Sequence, residues 1–196
     1  MSSSASGADP ARKNRRNLIL VALVCTLPVV ASYFLFYVWR PSGTTNYGEI
    51  LKVQTLPDAG ARTLDGNAFR LSDLRGRWIM LTVDDGTCDA RCREKLLKMR
   101  QVRLMQGKDM DRIERVWLVT DGVKPETPLA TMHAGTWMVD GRAGPISTAL
   151  PVQADPHNYI YLVDPLGNLM MRYSADADPY GMNRDLIRLL KVSRVG

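Results

Sequence analysis

The longest pattern in the chain is an uninterrupted apolar segment near its beginning, Leu18–Trp39, which contains no charged side chain. A helix rises about 1.5 Å per residue, so a segment of this length crosses a hydrocarbon core of about 30 Å. The alternative is a cleaved signal peptide, whose apolar core is usually about 7–15 residues long and ends at small residues. Here the apolar run is longer and ends in aromatic side chains, which favour the membrane interface. The pattern therefore favours a retained transmembrane helix.

The charges around this segment predict its orientation in the membrane. Only Arg40 follows it directly, whereas four basic residues and a single acidic residue, Asp9, precede it. The basic residues are Arg12, Lys13, Arg15 and Arg16. By the positive-inside rule, residues 1–17 form a cytoplasmic tail, and the chain beyond a linker at 40–56 lies outside the cytoplasm. We expect a single-pass protein of the bacterial inner membrane with a periplasmic domain at residues 57–196.

The remaining pattern predicts one domain of alternating strands and helices. Residues 121–156 are rich in proline and glycine, and predict an irregular crossover with short helices near Leu129–His133 and Ile146–Leu150. Elsewhere the alternation predicts a hairpin, two buried strands separated by a helix of roughly 16 residues, a second hairpin and a final helix. Their expected ranges are Ala61–Phe69, Trp78–Val83, a helix starting near Cys88, Arg115–Thr120, Tyr159–Val163 with Asn168–Tyr173, and Met182–Val192. This order predicts an α/β fold, a mixed sheet flanked by helices.

Charge and composition narrow the classes of function. The net charge is +6, and half of it lies in the tail that precedes the apolar segment. The outer domain is therefore only mildly basic, and it carries no motif for DNA or RNA binding. We expect no nucleic-acid partner.

The pattern with the most chemistry is a pair of cysteines, Cys88 and Cys92, placed where a predicted strand gives way to a predicted helix. A helix that starts near Cys88 would bring both sulfurs to one face, close enough for a disulfide. A helix N-terminus stabilises a thiolate, so Cys88 is the candidate reactive thiol and Cys92 its resolving partner. The alternative is a permanent disulfide, but closing so short a loop removes little chain entropy.

The order of these motifs resembles the thioredoxin-like superfamily. The segment Leu71–Trp78, the cysteine pair and the segment Tyr161–Asn168 follow one another as they do there. The three-residue gap between the cysteines, the anchor and the outward topology are similar to Sco-type membrane-anchored cytochrome c oxidase assembly proteins. The resemblance implies copper delivery to the oxidase, or thiol reduction of its copper centre. It also implies that Cys88 and Cys92 are copper ligands, with His157 as the tentative third ligand.

Two residues depart from the pattern of Sco-type proteins. Asp89 follows the first cysteine, where those proteins usually have proline. The histidine ligand is expected at the position of Pro156, and His157 stands one residue later. Because a slip of one residue reverses the face that a strand residue presents, we expect weakened or absent Cu(II) binding. Cu(I) binding through Cys88 and Cys92 stays an open possibility, since soft thiolates favour that ion.

Other candidate residues have simpler interpretations. His133 is expected at the surface, and Asp84 and Asp85 are expected to form a solvated loop pair that could accept a proton from a thiol. The methionines of the outer domain are expected to fill its core. Three functions remain open: oxidase assembly by thiol–disulfide exchange or copper delivery, general periplasmic thiol–disulfide oxidoreduction such as cytochrome c maturation, and a non-catalytic scaffold with a structural disulfide.

Overall fold

The computed structural model divides the chain into two compact units, Met1–Thr44 and Thr45–Gly196. The residues that the structure describes are 10–37, 46–58, 60–142, 144–151 and 155–193, without the side chains of residues 10–13.

The first unit contains one helix, α1, at Pro10–Tyr37. Within the described residues, its stretch Asn14–Tyr37 is the one helix long and apolar enough to cross a membrane. This property is shared by anchors and signal sequences, and it fits a membrane-anchored protein. Trp39, the predicted end of the segment, lies outside the described residues. Cys25 is exposed on this helix and forms no disulfide.

The second unit is built on a mixed six-stranded sheet with helices packed against it. Its elements, in chain order, are β1 (Glu49–Thr55), β2 (Ala61–Arg62), β3 (Ala68–Phe69), β4 (Trp78–Asp84), α2 (Ala90–Met105), β5 (Ile113–Val119), α3 (Thr127–Met132), β6 (Thr136–Asp140), α4 (Pro145–Thr148), β7 (Tyr159–Val163), β8 (Asn168–Ser174) and α5 (Pro179–Val192). Short 3₁₀ turns lie at Leu71–Leu74, Gly107–Arg112 and Pro156–Asn158. The sheet order is β1-β8-β7-β4-β5-β6, while β2 and β3 form a separate small hairpin. The predicted α/β architecture, a mixed sheet flanked by helices, is confirmed.

The central strand β4 explains how the core is divided. All seven of its residues are buried, and successive side chains point to opposite faces of the sheet. Ile79, Leu81 and Val83 enter one apolar cluster, which lies against the small hairpin and α4. Trp78 and Met80 enter a second cluster with apolar side chains of α2 and α5. The strand pairs in parallel with β5 and antiparallel with β7.

Two strands lie where the sequence pattern predicted none. Glu49–Thr55 falls inside the expected linker, yet it pairs with β8 as an edge strand. Thr136–Asp140 falls inside the expected irregular crossover, yet it pairs in parallel with β5. Both are edge strands, and β1 is largely exposed. Hydrogen bonds along one side of such a strand fix its conformation without requiring the continuous apolar pattern of a central strand.

Candidate thiol–disulfide site

The cysteine pair lies at the carboxyl end of β4, where the chain turns from the sheet into α2. This loop is held against the end of the neighbouring parallel strand: the Gly86 N–H donates to Oδ1 of Asp121 at 2.9 Å. Gly86 is required here, because a Cβ atom at this position would lie 1.9 Å from the carbonyl oxygen of Val123. Within the loop, the Cys88 N–H donates to the carbonyl oxygen of Asp85 at 3.1 Å.

Asp89 begins the helix that carries the second cysteine. Its Oδ1 accepts a hydrogen bond from the Cys92 N–H at 2.8 Å, so Asp89 is the N-cap and α2 starts at Ala90. The helix thus starts two residues after Cys88, close to its predicted start. Capping by a carboxylate satisfies one of the free N–H groups of the first turn. Asp89, which stands where Sco-type proteins usually have proline, thus has a structural role as the cap of α2.

Cys88 and Cys92 form a disulfide, with their Cα atoms 5.1 Å apart. Cys88 adopts a positive φ of 45°, in the left-handed region that residues other than glycine rarely occupy. The side chains of both cysteines pack in a small apolar cluster with Leu96, Trp117 and Leu129. Cys88 is 2 % exposed and Cys92 is 1 % exposed, so exposure does not distinguish them in this form. The assignment of Cys88 as the nucleophile remains a prediction.

A buried ion pair lies behind the disulfide. The Nζ of Lys95 lies 2.7 Å from Oδ2 of Asp84, and it also donates to the carbonyl oxygens of Val83 at 3.2 Å and His157 at 2.6 Å. Burial raises the pKa of the Asp84 carboxyl and lowers the pKa of the Lys95 ammonium, and each charge partly offsets the shift of the other. The expectation that Asp84 is a solvated loop residue is wrong, because α2 covers it. Asp85 is exposed and accepts a hydrogen bond from the hydroxyl of Thr120.

Sequence reasoning did not select Lys95, although a signal was available. It follows Cys92 by three residues, so the two side chains share a face of the helix. A lysine on the face that carries a buried cysteine has to find a carboxylate or carbonyl partner in the interior.

His157 lies in the 3₁₀ turn before β7, on the rim of a pocket of about 260 Å³. Cys92 lines the same pocket, which brings the tentative third ligand to the same side of the sheet as the disulfide. The His157 Nδ1 lies 2.7 Å from Oδ1 of Asp155, and this interaction lowers the pKa of the Asp155 carboxyl. Among the described residues, no group of three or more His, Cys, Asp or Glu side chains is arranged to hold a metal ion in this disulfide-bonded form.

The walls of this pocket are mainly polar and acidic. Carboxylates contribute most of its charge, and one arginine, Arg91, bonds through its guanidinium to the side-chain oxygen of Asn158. The carboxylates are those of Asp84, Asp85, Asp89 and Asp155. Two links therefore join α2 to the turn that carries His157: Arg91 to Asn158, and Lys95 to the His157 carbonyl.

His133 lies elsewhere, at the C-terminal end of α3. It is 1 % exposed, so the expectation of a surface histidine is wrong. Burial and the nearby charge of Arg115 lower the pKa of its imidazole. His133 does not line the pocket of Cys92 and His157, and it is not a candidate ligand there.

Known structures share this fold at low sequence identity. A SCO1/SenC family lipoprotein from Bacillus anthracis matches with a TM-score of 0.55 and 19% identity, covering 72% of this chain and 98% of that one. Bradyrhizobium japonicum ScoI, solved with copper bound, matches with a TM-score of 0.55 and 17% identity, covering 69% of this chain and 99% of that one. The thioredoxin domain of a thiol-disulfide oxidoreductase from Bacteroides vulgatus matches with a TM-score of 0.52 and 15% identity, covering 71% of this chain and 98% of that one.

These similarities confirm, at the level of the fold, the resemblance to thioredoxin-like and Sco-type proteins. No curated protein sequence matches the chain significantly. A family model does match, over residues 78–193, which include β4, the cysteine pair, the turn of His157 and α5. The chain therefore belongs to the family described as transmembrane-like, thioredoxin-like, C-terminal domain.

Proposed function

We propose that this protein is a membrane-anchored thiol–disulfide exchange protein that assists cytochrome c oxidase assembly through Cys88 and Cys92. The observation that carries the proposal is the disulfide between these residues at the start of α2, beside a pocket that Cys92 and His157 line. The Sco-type fold of the neighbours supports the process, and the thiol-disulfide oxidoreductase neighbour supports the chemistry.

The exchange step begins from the reduced pair. The Cys88 thiolate attacks one sulfur of a disulfide in the target protein, a Cys88–target bond forms, and the other target sulfur leaves and takes a proton from water. Cys92 then loses its proton and attacks Cys88 Sγ, so the second target sulfur leaves as a thiolate. Two electrons pass to the target, and a dithiol electron donor must reduce the Cys88–Cys92 bond again.

Asp84 is a suitable acceptor for the Cys92 proton. Its carboxylate lines the same pocket as Cys92, and burial raises its pKa above that of an ordinary aspartate. Lys95 keeps this carboxylate in place and compensates part of its buried charge. The reactive form requires a change at the loop, because both cysteines are buried when they are bonded to each other.

Copper delivery is the second candidate, and the position of His157 favours it. Once the disulfide is reduced, two thiolates at the start of α2 would suit Cu(I), and His157 would offer Nε2 while Asp155 holds Nδ1. The disulfide-bonded sulfurs cannot ligate an ion, so reduction has to precede loading. Copper would then be cargo that the protein carries to the oxidase.

The proposed location follows from the anchor and the tail. Basic residues before α1 favour a cytoplasmic N-terminus and a periplasmic domain in the inner membrane. Disulfides form and persist in the oxidising compartment outside the cytoplasm, which agrees with the Cys88–Cys92 bond.

Trapping of the mixed disulfide tests the exchange role. In the full chain with Cys25→Ser, a further Cys92→Ser change should accumulate a mixed disulfide between Cys88 and an oxidase subunit. The matched control carries Cys88→Ser and retains Cys92. Several unrelated adducts would favour a general periplasmic oxidoreductase, and no adduct from either variant would favour a scaffold with a fixed disulfide.

Copper titration tests the second candidate separately. The reduced full chain with Cys25→Ser is titrated with Cu(I) and Cu(II) against a competing chelator, beside a His157→Ala variant. Tight one-to-one Cu(II) binding that His157→Ala abolishes would support delivery. Failure of both ions to bind, with a dithiol that still forms the trapped adduct, would leave thiol exchange as the function.

A further inference from the structure

Arg115 is a buried cation far along β5 from the carboxyl end of the sheet. It is 5 % exposed, and its neighbour on the same face, Ile113, packs with Met99 and Val102 of α2. Glu114 precedes it on the strand and therefore points to the opposite face, where its carboxylate pairs with Arg77. Within the described residues, no carboxylate forms an ion pair with Arg115. Buried arginines are usually paired, since an uncompensated charge in the interior is costly.

The connection from α3 to β6 lies against this guanidinium. The Nη2 of Arg115 donates to the carbonyl oxygen of Ala134 at 2.7 Å, and a Cβ atom at Gly135 would lie 3.5 Å from the same nitrogen. Thr136 is the register partner of Arg115 on the adjacent parallel strand, so their side chains share a face. His133, the residue before Ala134, is also buried. Ala134, Gly135 and Thr136 thus lie beside Arg115, and the charge of Arg115 acts on His133.

Four polar atoms in this region have no hydrogen-bond partner among the described residues. They are Nε and Nη1 of Arg115, Nδ1 of His133 and the hydroxyl of Thr136. The two arginine nitrogens can only donate, a hydroxyl can donate, and a neutral imidazole can carry its proton on Nδ1. Each of these atoms can therefore offer a hydrogen to an acceptor, and all four belong to neighbouring residues of this region.

The electrostatic surroundings also favour an anion. The charged groups that act on Arg115 from α2 are Arg100 and Arg103, which share its sign, and the opposing carboxylate is that of Glu114 on the other face. Arg103 is already paired with Asp111. The positive charge of Arg115 thus remains uncompensated on its own face of the sheet.

We infer that Arg115, His133 and Thr136 form a binding site for one small inorganic anion, such as chloride or phosphate. The burial of Arg115 and His133 excludes the side chain of a partner protein as the ligand and favours an ion that enters alone. Ala134 and Gly135 are exposed, so one layer of chain separates the guanidinium from solvent at this point. The site is separate from the pocket of Cys92 and His157 and does not depend on the proposed redox function.

Anion-dependent stability tests the site in the full chain in detergent micelles. Chloride or inorganic phosphate replaces gluconate at constant ionic strength, and the unfolding temperature is measured. We expect a rise that continues with the logarithm of the anion concentration above Kd and is absent in Arg115→Met, because a ligand that binds only the folded state stabilises it by RT ln(1 + [L]/Kd). Arg142→Met is the matched control, since Arg142 is exposed and already paired with Asp140.

A second variant and a direct measurement keep the test decisive if Arg115→Met does not fold. Thr136→Val removes one donor at nearly constant volume and should weaken anion binding by roughly fivefold. Chloride binding and exchange are followed by the ³⁵Cl NMR linewidth. The wild-type chain should broaden this line more than the Thr136→Val variant does. Equal linewidths, or an unfolding temperature of the wild type that ignores both anions, would overturn the proposal.

Discussion

The ammonium group of Lys95 lies 2.7 Å from Oδ2 of Asp84, with side-chain exposures of 0 % and 9 %. This pair joins three parts of the site, because Asp84 ends β4, Lys95 belongs to α2, and the same ammonium group holds the carbonyl oxygen of His157. Burial disfavours both charged forms, because neither group is solvated by water. Each charge stabilises the other instead.

Removal of one partner should therefore cost far more than removal of both. Lys95→Met leaves a buried carboxylate uncompensated, and we expect it to lower the free energy of unfolding by about 3–5 kcal/mol. The double variant Asp84→Leu with Lys95→Met should recover most of that loss, since no charge remains to be buried. Unfolding of the full chain in detergent measures both effects.

Lys124→Met is the matched control, because Lys124 pairs with Asp65 at the surface, with exposures of 66 % and 79 %. It should change stability by less than about 1 kcal/mol. Equal losses from Lys95→Met and Lys124→Met would show that the buried pair has no special energetic role.

The N-cap of α2 gives a second prediction. Asp89→Ala removes the acceptor of the Cys92 N–H and should cost about 1 kcal/mol. Asp89→Asn retains a capping oxygen and should cost much less. Thermal unfolding of the two variants, each in the disulfide-bonded state, separates the contribution of the capping hydrogen bond from that of the negative charge. If both variants lost the same stability, the charge alone would explain the effect.

The start of the folded domain can be tested by truncation. Asp185 is 2 % exposed, and its carboxylate accepts hydrogen bonds from the N–H groups of Tyr47 and Gly48. A chain that begins at Pro57 lacks these donors and β1, so we expect it to lose cooperative unfolding. A chain that begins at Thr45 retains both and should unfold cooperatively. If the two truncated chains gave identical unfolding curves, residues 40–56 would be a linker outside the folded domain, as the sequence pattern predicted.

The ion pair between β1 and β8 predicts a pH dependence. Arg172 donates hydrogen bonds to Glu49 and lowers the pKa of that carboxyl in the folded state. A carboxyl with a lowered pKa adds stability above its unfolded pKa, and this stability is lost as the pH falls through the folded value. Glu49 is 57 % exposed, so the contribution is below about 1 kcal/mol. Glu49→Gln should lower the unfolding temperature at pH 7, and this decrease should become smaller as the pH falls below the unfolded pKa of a glutamate. An equal decrease at every pH would contradict the electrostatic explanation.

Topology is tested by reporters fused after Gly196. A reporter active only outside the cytoplasm should be active there, because the basic residues precede the anchor. A variant in which Arg12, Lys13, Arg15 and Arg16 are all replaced by Gln is the matched control and should reduce that activity. Activity of a cytoplasm-only reporter on the unaltered chain would contradict the periplasmic location and the redox proposal with it.

The local pattern of residues by itself determined the buried elements of this protein. The strand at Trp78–Val83 and the helix that begins between the two cysteines are found close to where their periodicity predicts them. The reason is that a central strand or a core helix must be apolar on the faces that it buries. The spacing of Cys88 and Cys92 likewise determined that a disulfide could form. Two cysteines only four residues apart at the start of a helix are brought together by local backbone geometry alone.

Tertiary structure alone decided the edge strands, the burial of polar side chains and the partners of His157. β1 and β6 are strands because neighbours supply their hydrogen bonds, and such pairing leaves little trace in an exposed sequence. Three charged residues look ordinary in the sequence, and only the fold shows that they are buried. These residues are Asp84, Lys95 and Arg115. Their burial depends on which elements pack together, and that depends on contacts between residues that are distant in the chain.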